Sequence, residues 1–246
     1  MPQFSDDLYL GPAYTNMGMN SGNPSPMSLG VGPLGRGYVW DSVPVAKGAA
    51  NVAAASVWTS AITLTAGTGT TSVVRADGTT VIQFDVPRAA SVTLGSGSPT
   101  TRTVTVTGYD VYGQAMSEQI ITGTTPSTTV NGKKAFYQVA SATISGSAVV
   151  TISLGTSDVL GLPVRVTSGS YLGSVNYAGA FTTDSGTFTV ADTTNPATAT
   201  TGDVRGTYVP SAATNGTNRL VVDILLTGIA VGPNATRTGA LGVTQA

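Results

Sequence analysis

Glu118 is the only glutamate in the chain, and it stands with eleven aspartates, no histidine and no cysteine. That inventory restricts the chemistry. A Ser–His–Asp or Cys–His relay cannot be assembled within one chain. Histidine zinc sites are excluded, as are thiolate metal sites and disulfides. Lys and Asp nucleophiles remain possible in principle. Glycoside hydrolysis would need two carboxylates in different surroundings, and no pair is marked by its neighbours. No phosphate-cradling glycine loop is present; Gly67-Thr68-Gly69-Thr70 reads as a turn. Loop aspartates can bind calcium, and Asp184-Ser185-Gly186, Asp192 and Asp203 are the candidates. They lack EF-hand spacing, so the expectation is that they shape turns through backbone hydrogen bonds. Asn215-Gly216-Thr217 and Asn234-Ala235-Thr236 fit the glycosylation pattern but read as polar loops. The residues therefore point to a non-enzyme, with no catalytic group, cofactor or metal assigned.

Charge narrows the partners further. Only 9% of residues are charged and the net charge is −1, against the quarter usual for soluble domains. Lys133–Lys134 is the only adjacent basic pair. No basic stripe could hold a phosphate backbone, so no nucleic-acid partner is expected. A near-neutral, charge-poor surface favours association, which suits a subunit of an assembly. The uncharged stretch from Gly48 to Val74 is broken throughout by Thr, Ser and Gly, so no membrane partner is expected. Met1 to Asp7 shows no basic region followed by an apolar stretch, so no secretory leader is expected.

The elements that carry these residues read as strands. Trp58, Ser60, Ile62 and Leu64 alternate with Thr59, Ala61 and Thr63. Ile82, Phe84 and Val86 alternate with Gln83 and Asp85. Thr103 to Thr107 and Thr187 to Val190 keep strict period two. Ala142 with Ile144, then Val150, Ile152 and Leu154, suggest two more strands, and Leu220, Val222, Ile224 and Leu226 the last. Turn signals separate them at Asp77-Gly78, Tyr112-Gly113, Asn131-Gly132, Ser145-Gly146 and Asn215-Gly216. Only Val45 to Ala55 offers a short helix, weakened by Gly48.

Six of the 13 prolines (Pro2, Pro12, Pro24, Pro26, Pro33, Pro44) lie in the first 50 residues. Such density suits neither helix nor central strand, and the apolar residues there keep no period. The expected organisation is an extended arm over 1–50, a β-sandwich module over 51–167, and over 168–246 a C-terminal β lobe or long loops on the same sandwich. The fold class is all-β, an antiparallel β-sandwich or jelly-roll-like fold with an extended N-terminal arm. Phe4, Tyr9, Tyr14, Leu34, Tyr38 and Trp40 are the candidate assembly contacts, because no self-contained element there could bury them.

One series carries a resemblance. Thr103-Val-Thr-Val-Thr-Gly-Tyr-Asp-Val-Tyr-Gly-Gln-Ala-Met-Ser-Glu-Gln-Ile-Ile121 is followed by Val130-Asn-Gly-Lys-Lys-Ala-Phe136 and by Val139-Ala-Ser-Ala-Thr-Ile144. Leu154-Gly-Thr-Ser-Asp-Val-Leu-Gly-Leu-Pro163 closes it. This series resembles a β module of tailed-bacteriophage structural proteins, over about a quarter of the chain. The resemblance implies a virion protein assembled in the host cytoplasm, of the capsid decoration (cement) type. Its partners would be the major capsid protein or other virion proteins. The low charge and the apolar arm, separately, suggest a homo-oligomer, a dimer or trimer. The alternative is a tail, adaptor or fibre component involved in host attachment, for which Tyr171, Tyr177 and Tyr208 hint at an aromatic sugar site.

Overall fold

The structure is a computed structural model and describes residues 7–10, 35–180, 182–192 and 202–226. Its strands are β1 (Asp7–Leu10), β2 (Gly35–Ser42), β3 (Ala53–Ser56), β4 (Thr70–Val74), β5 (Thr80–Leu94), β6 (Thr103–Tyr109) and β7 (Ala115–Ile121). They continue with β8 (Thr129–Ile144), β9 (Ile152–Gly161), β10 (Leu172–Tyr177), β11 (Thr187–Thr189), β12 (Thr207–Val209) and β13 (Leu220–Leu226). Among the described residues the only helical element is a 3₁₀ turn at Gly169–Tyr171. Every strand pair is antiparallel, so the chain is all-β as expected.

The larger sheet runs β11-β12-β9-β5-β8-β6-β7, with β3 added on β9 and β4 on β5, and curls into a half-barrel. Alternation explains its inner face. In β6, Val104 and Val106 are fully buried while the threonines between them are half-buried. They meet Ile82, Phe84, Phe136, Val139, Ile152 and Leu154 in the first core. The smaller sheet runs β1-β2-β13-β10. Leu220, Val222 and Ile224 of β13 share one face there and form a second core with Val175, Tyr177, Tyr208, Leu160, Leu162 and Val166. That core begins at Leu160 in β9, upstream of the boundary expected near Thr167.

Two irregularities shape the larger sheet. Gln83 pairs with Gln138 and Arg88 with Phe136, so Phe84 to Pro87 stand opposite Tyr137 alone. Pro87 cannot donate to the ladder and sits at this bulge. The bulge divides the expected Ile82–Phe84–Val86 face: Ile82 and Phe84 enter the first core, whereas Val86 packs against the second. Further along, Ala89 pairs with Ala135 and Ser91 with Asn131, so Ala90 faces Gly132, Lys133 and Lys134 together.

Three local expectations are corrected. Asn131-Gly132 is not a turn but lies inside β8. Val45 to Ala55 is not a helix, because its backbone is committed to β9: Thr156 N donates to Gly48 O (2.8 Å) and Val52 N to Leu154 O (3.0 Å). The approach is so close that a Cβ on Gly155 would lie 1.8 Å from Gly48 O. The strand expected over Trp58 to Leu64 shrinks to a single bridge, Ala61–Thr143, although Trp58 and Ile62 are buried on the expected face.

Candidate functional site

β6 leaves β8 at the pair Tyr109–Gln138. Beyond it, carboxylates take N–H groups of β8 where a strand would otherwise supply carbonyls. Glu118 Oε1 accepts from Lys133 N and Oε2 from Lys134 N (3.4 Å). Asp203 Oδ2 accepts from Ala135 N (2.9 Å) and its Oδ1 from Arg205 N (2.9 Å). The β8 bulge turns successive N–H groups toward one carboxylate, and Gly132 leaves room for it: a Cβ there would sit 2.4 Å from Glu118 Oε2.

The cluster is water-poor. Burial pushes the Glu118 carboxyl up to about 7, against the opposing pull of its two backbone donors and the Lys134 charge. Burial raises Asp203 as well, again opposed by its backbone donors. Burial lowers the Lys134 amine, which donates to Ser117 O (2.7 Å). Arg205 pairs with Asp110 at 2.8 Å, both side chains almost fully buried, and lies 4.7 Å from the Tyr112 ring centroid. Asp110 Oδ1 in turn accepts from Tyr112 N and Gln114 N, and Tyr112 donates its hydroxyl hydrogen to Pro163 O (2.7 Å). The Gly-Tyr-Asp-Val-Tyr-Gly turn is thereby fastened to residues 203–205 and to the end of β9.

A second polar seam joins distant segments. Arg88, wholly buried, donates from Nη2 to Val45 O and Asp85 Oδ2, each at 3.1 Å. Asp158 takes Lys47 Nζ at 2.7 Å and lies 2.7 Å from Thr214 Oγ1. Despite the desolvation that would raise it, the Asp158 carboxyl is held below its usual range by these partners.

The expected contact residues fall in different places. Phe4, Tyr14 and Leu34 lie outside the described residues, and Tyr9 is in β1, opposite Arg36 of β2. Tyr38 and Trp40 belong to β2, which runs between β1 and β13, and both side chains are half-buried against the second core. Tyr177 and Tyr208 are core residues with Tyr171 packed beside them, so they form no aromatic sugar site. The candidate calcium ligands hold backbone. Asp184 accepts from Gly186 N, Ser211 N and the Tyr208 hydroxyl, and Asp192 accepts from Gly202 N. Among the described residues no group of three acidic side chains is placed to hold a metal ion.

The sequence marks Glu118 as the lone glutamate, Lys134 only as one of an adjacent basic pair and Asp203 only as a turn-shaping loop aspartate, and it does not single out Arg205; it places none of them in a buried cluster. Only Glu118 left a signal, since it lies in phase with Met116 and Ile120, the buried positions of β7. Compared with models of known protein families, with curated proteins and with solved structures, the chain matches none.

Proposed function

We propose that this chain is a non-enzymatic structural subunit of a tailed-bacteriophage particle, of the capsid decoration type, that stabilises a shell of major capsid protein. The reading starts from the Thr103–Pro163 series. The observation that carries it further is how the acidic groups are used. Asp77, Asp85, Asp110, Glu118, Asp158, Asp184, Asp192 and Asp203 each accept a hydrogen bond from a backbone N–H. Acidic side chains committed to holding backbone suit a rigid scaffold that works by burying surface against neighbours. Copies repeated over a closed shell turn modest contacts into strong attachment, and a dimer or trimer would match the shell's local axes.

The test is electron cryomicroscopy of virions from the genome that encodes the chain. Density for the two-sheet subunit at regular positions on the outside of the head is the expected result. Density confined to the portal or tail would favour the tail or fibre reading, and absence from the particle would overturn both.

A further inference from the structure

Beside the β5 bulge that sets Phe84 to Pro87 opposite Tyr137 lies a cavity of about 340 Å³, lined by Gly69, Thr70, Thr71, Gln83, Phe84, Asp85 and Tyr137. We propose that this cavity binds a neutral saccharide, one or two rings in size, through the Tyr137 ring and the polar groups of Asp85, Gln83 and Thr71.

Asp85 is fixed through one oxygen only: Oδ2 accepts from Val45 N (2.7 Å) and from Arg88 Nη2 (3.1 Å). Gln83 is fixed through its carbonyl, which accepts from Gln138 Nε2 (2.9 Å). Among the described residues no hydrogen bond engages Asp85 Oδ1, the Gln83 amide N–H groups, the Thr71 hydroxyl or the Tyr137 hydroxyl. The lining residues thus carry one unengaged acceptor, one unengaged donor and two hydroxyls that can do either. The partners of Asp85 and Gln83 leave them little freedom to lose on binding.

That array selects a ligand class. Alternating donors and acceptors beside an aromatic surface match the hydroxyls and apolar ring face of a sugar. An anion is disfavoured by the Asp85 carboxylate, since Arg88, the nearest cation bonded to it, is fully buried. A metal ion would find a single carboxylate. An apolar ligand would strand the polar walls without partners. The volume lies at the small end of the range for ligand sites, about 300–1,000 Å³. This reading goes beyond the assembly role and does not depend on where the subunit sits in a particle.

Saturation-transfer NMR of the purified chain tests it, with a panel of glucose, galactose, mannose, rhamnose, N-acetylglucosamine, N-acetylgalactosamine and their common disaccharides at millimolar concentration. At least one member is expected to receive saturation, and Tyr137→Ala should weaken its binding about tenfold, equal to about 1.4 kcal/mol, with an unchanged melting temperature. Should Tyr137→Ala lose its fold, Thr71→Ala on the exposed β4 is the second variant, and it too should weaken binding. No transfer to any member from the wild-type chain overturns the proposal. So does binding that keeps full affinity in every folded variant.

Discussion

Gly132 and Glu118 are built around one another: a Cβ at residue 132 would lie 2.4 Å from Glu118 Oε2, whose carboxylate accepts from Lys133 N and Lys134 N. Ala90 O stands 3.1 Å away on another side, so the intruding carbon has backbone as well as side chain against it. Gly132→Ala should therefore destabilise the chain by about 1–3 kcal/mol, the usual cost of overpacking. Thermal melting checks this. A drop of several degrees is expected, and an unchanged melting temperature would show that Glu118 swings away freely.

The same carboxylate gives the fold a pH dependence with a defined sign. Glu118 is held at about 7 in the folded chain against an ordinary 4.5, so the folded state binds its proton more tightly than the unfolded one. Its contribution is full below about pH 4.5, declines as pH rises toward about 7, and is level above that. The total loss is on the order of 3 kcal/mol. Asp203, raised by burial, acts in the same direction. Asp41, Asp158 and Asp184 are lowered, so their effects have the opposite sign and fall at more acid pH. Glu118→Gln keeps an acceptor for Lys133 N and should flatten the decline. Urea unfolding at pH 4.5, 6 and 8 measures it, and an equal slope in both proteins would remove Glu118 as its source.

Arg205 and Asp110 show what burial of an ion pair implies. Removing one partner leaves an uncompensated charge and costs about 3–5 kcal/mol. Arg205→Met should approach that figure in denaturant unfolding. Adding Asp110→Asn should recover part of it, because the carboxamide oxygen can still accept from Tyr112 N and Gln114 N. A double variant no more stable than Arg205→Met alone would mean that the Asp110 charge is held by other groups.

What the sequence disclosed and what it hid divide along physical lines. Period-two alternation placed Val104, Val106, Ile152, Leu154 and Leu220 to Ile224 on their buried faces, because each strand's facing is a local property. Bulges are set by partners far along the chain. Asn131-Gly132 carries the composition of a hairpin turn, yet the glycine is there for Glu118, fourteen positions back in the chain. Val86 keeps the phase of Ile82 and Phe84 in sequence but not in space, since the Pro87 bulge intervenes. The polar clusters were the least legible. Glu118, Asp203 and Arg205 meet only after β7, β8 and the loop before β12 have docked, and the cavity beside Tyr137 joins residues of β4, β5 and β8 at a register shift.

The expected arm over residues 1–50 divides at β2, and truncation separates its parts. Tyr38 and Trp40 lie on a strand paired with β13 from Ser42–Leu220 to Arg36–Leu226. Deleting residues 2–42 removes that strand, strips half the pairing of β13, and uncovers Val222 and Ile224, which are almost wholly buried. The second core should then melt while the first core, centred on Phe84, Phe136 and Leu154, persists. Limited proteolysis with mass spectrometry should find new cuts after residue 166 and few between 80 and 161. Deleting residues 2–34 instead removes only the edge strand β1 among the described elements, so melting should stay near that of the whole chain. This shorter deletion also takes away Phe4, Tyr9, Tyr14 and Leu34, the assembly contacts proposed within it. The expected outcome is a folded subunit that no longer joins the particle, read by co-sedimentation with heads assembled from the major capsid protein of the same genome. Full co-sedimentation of the truncated subunit would move the contact off the arm and onto the sheets.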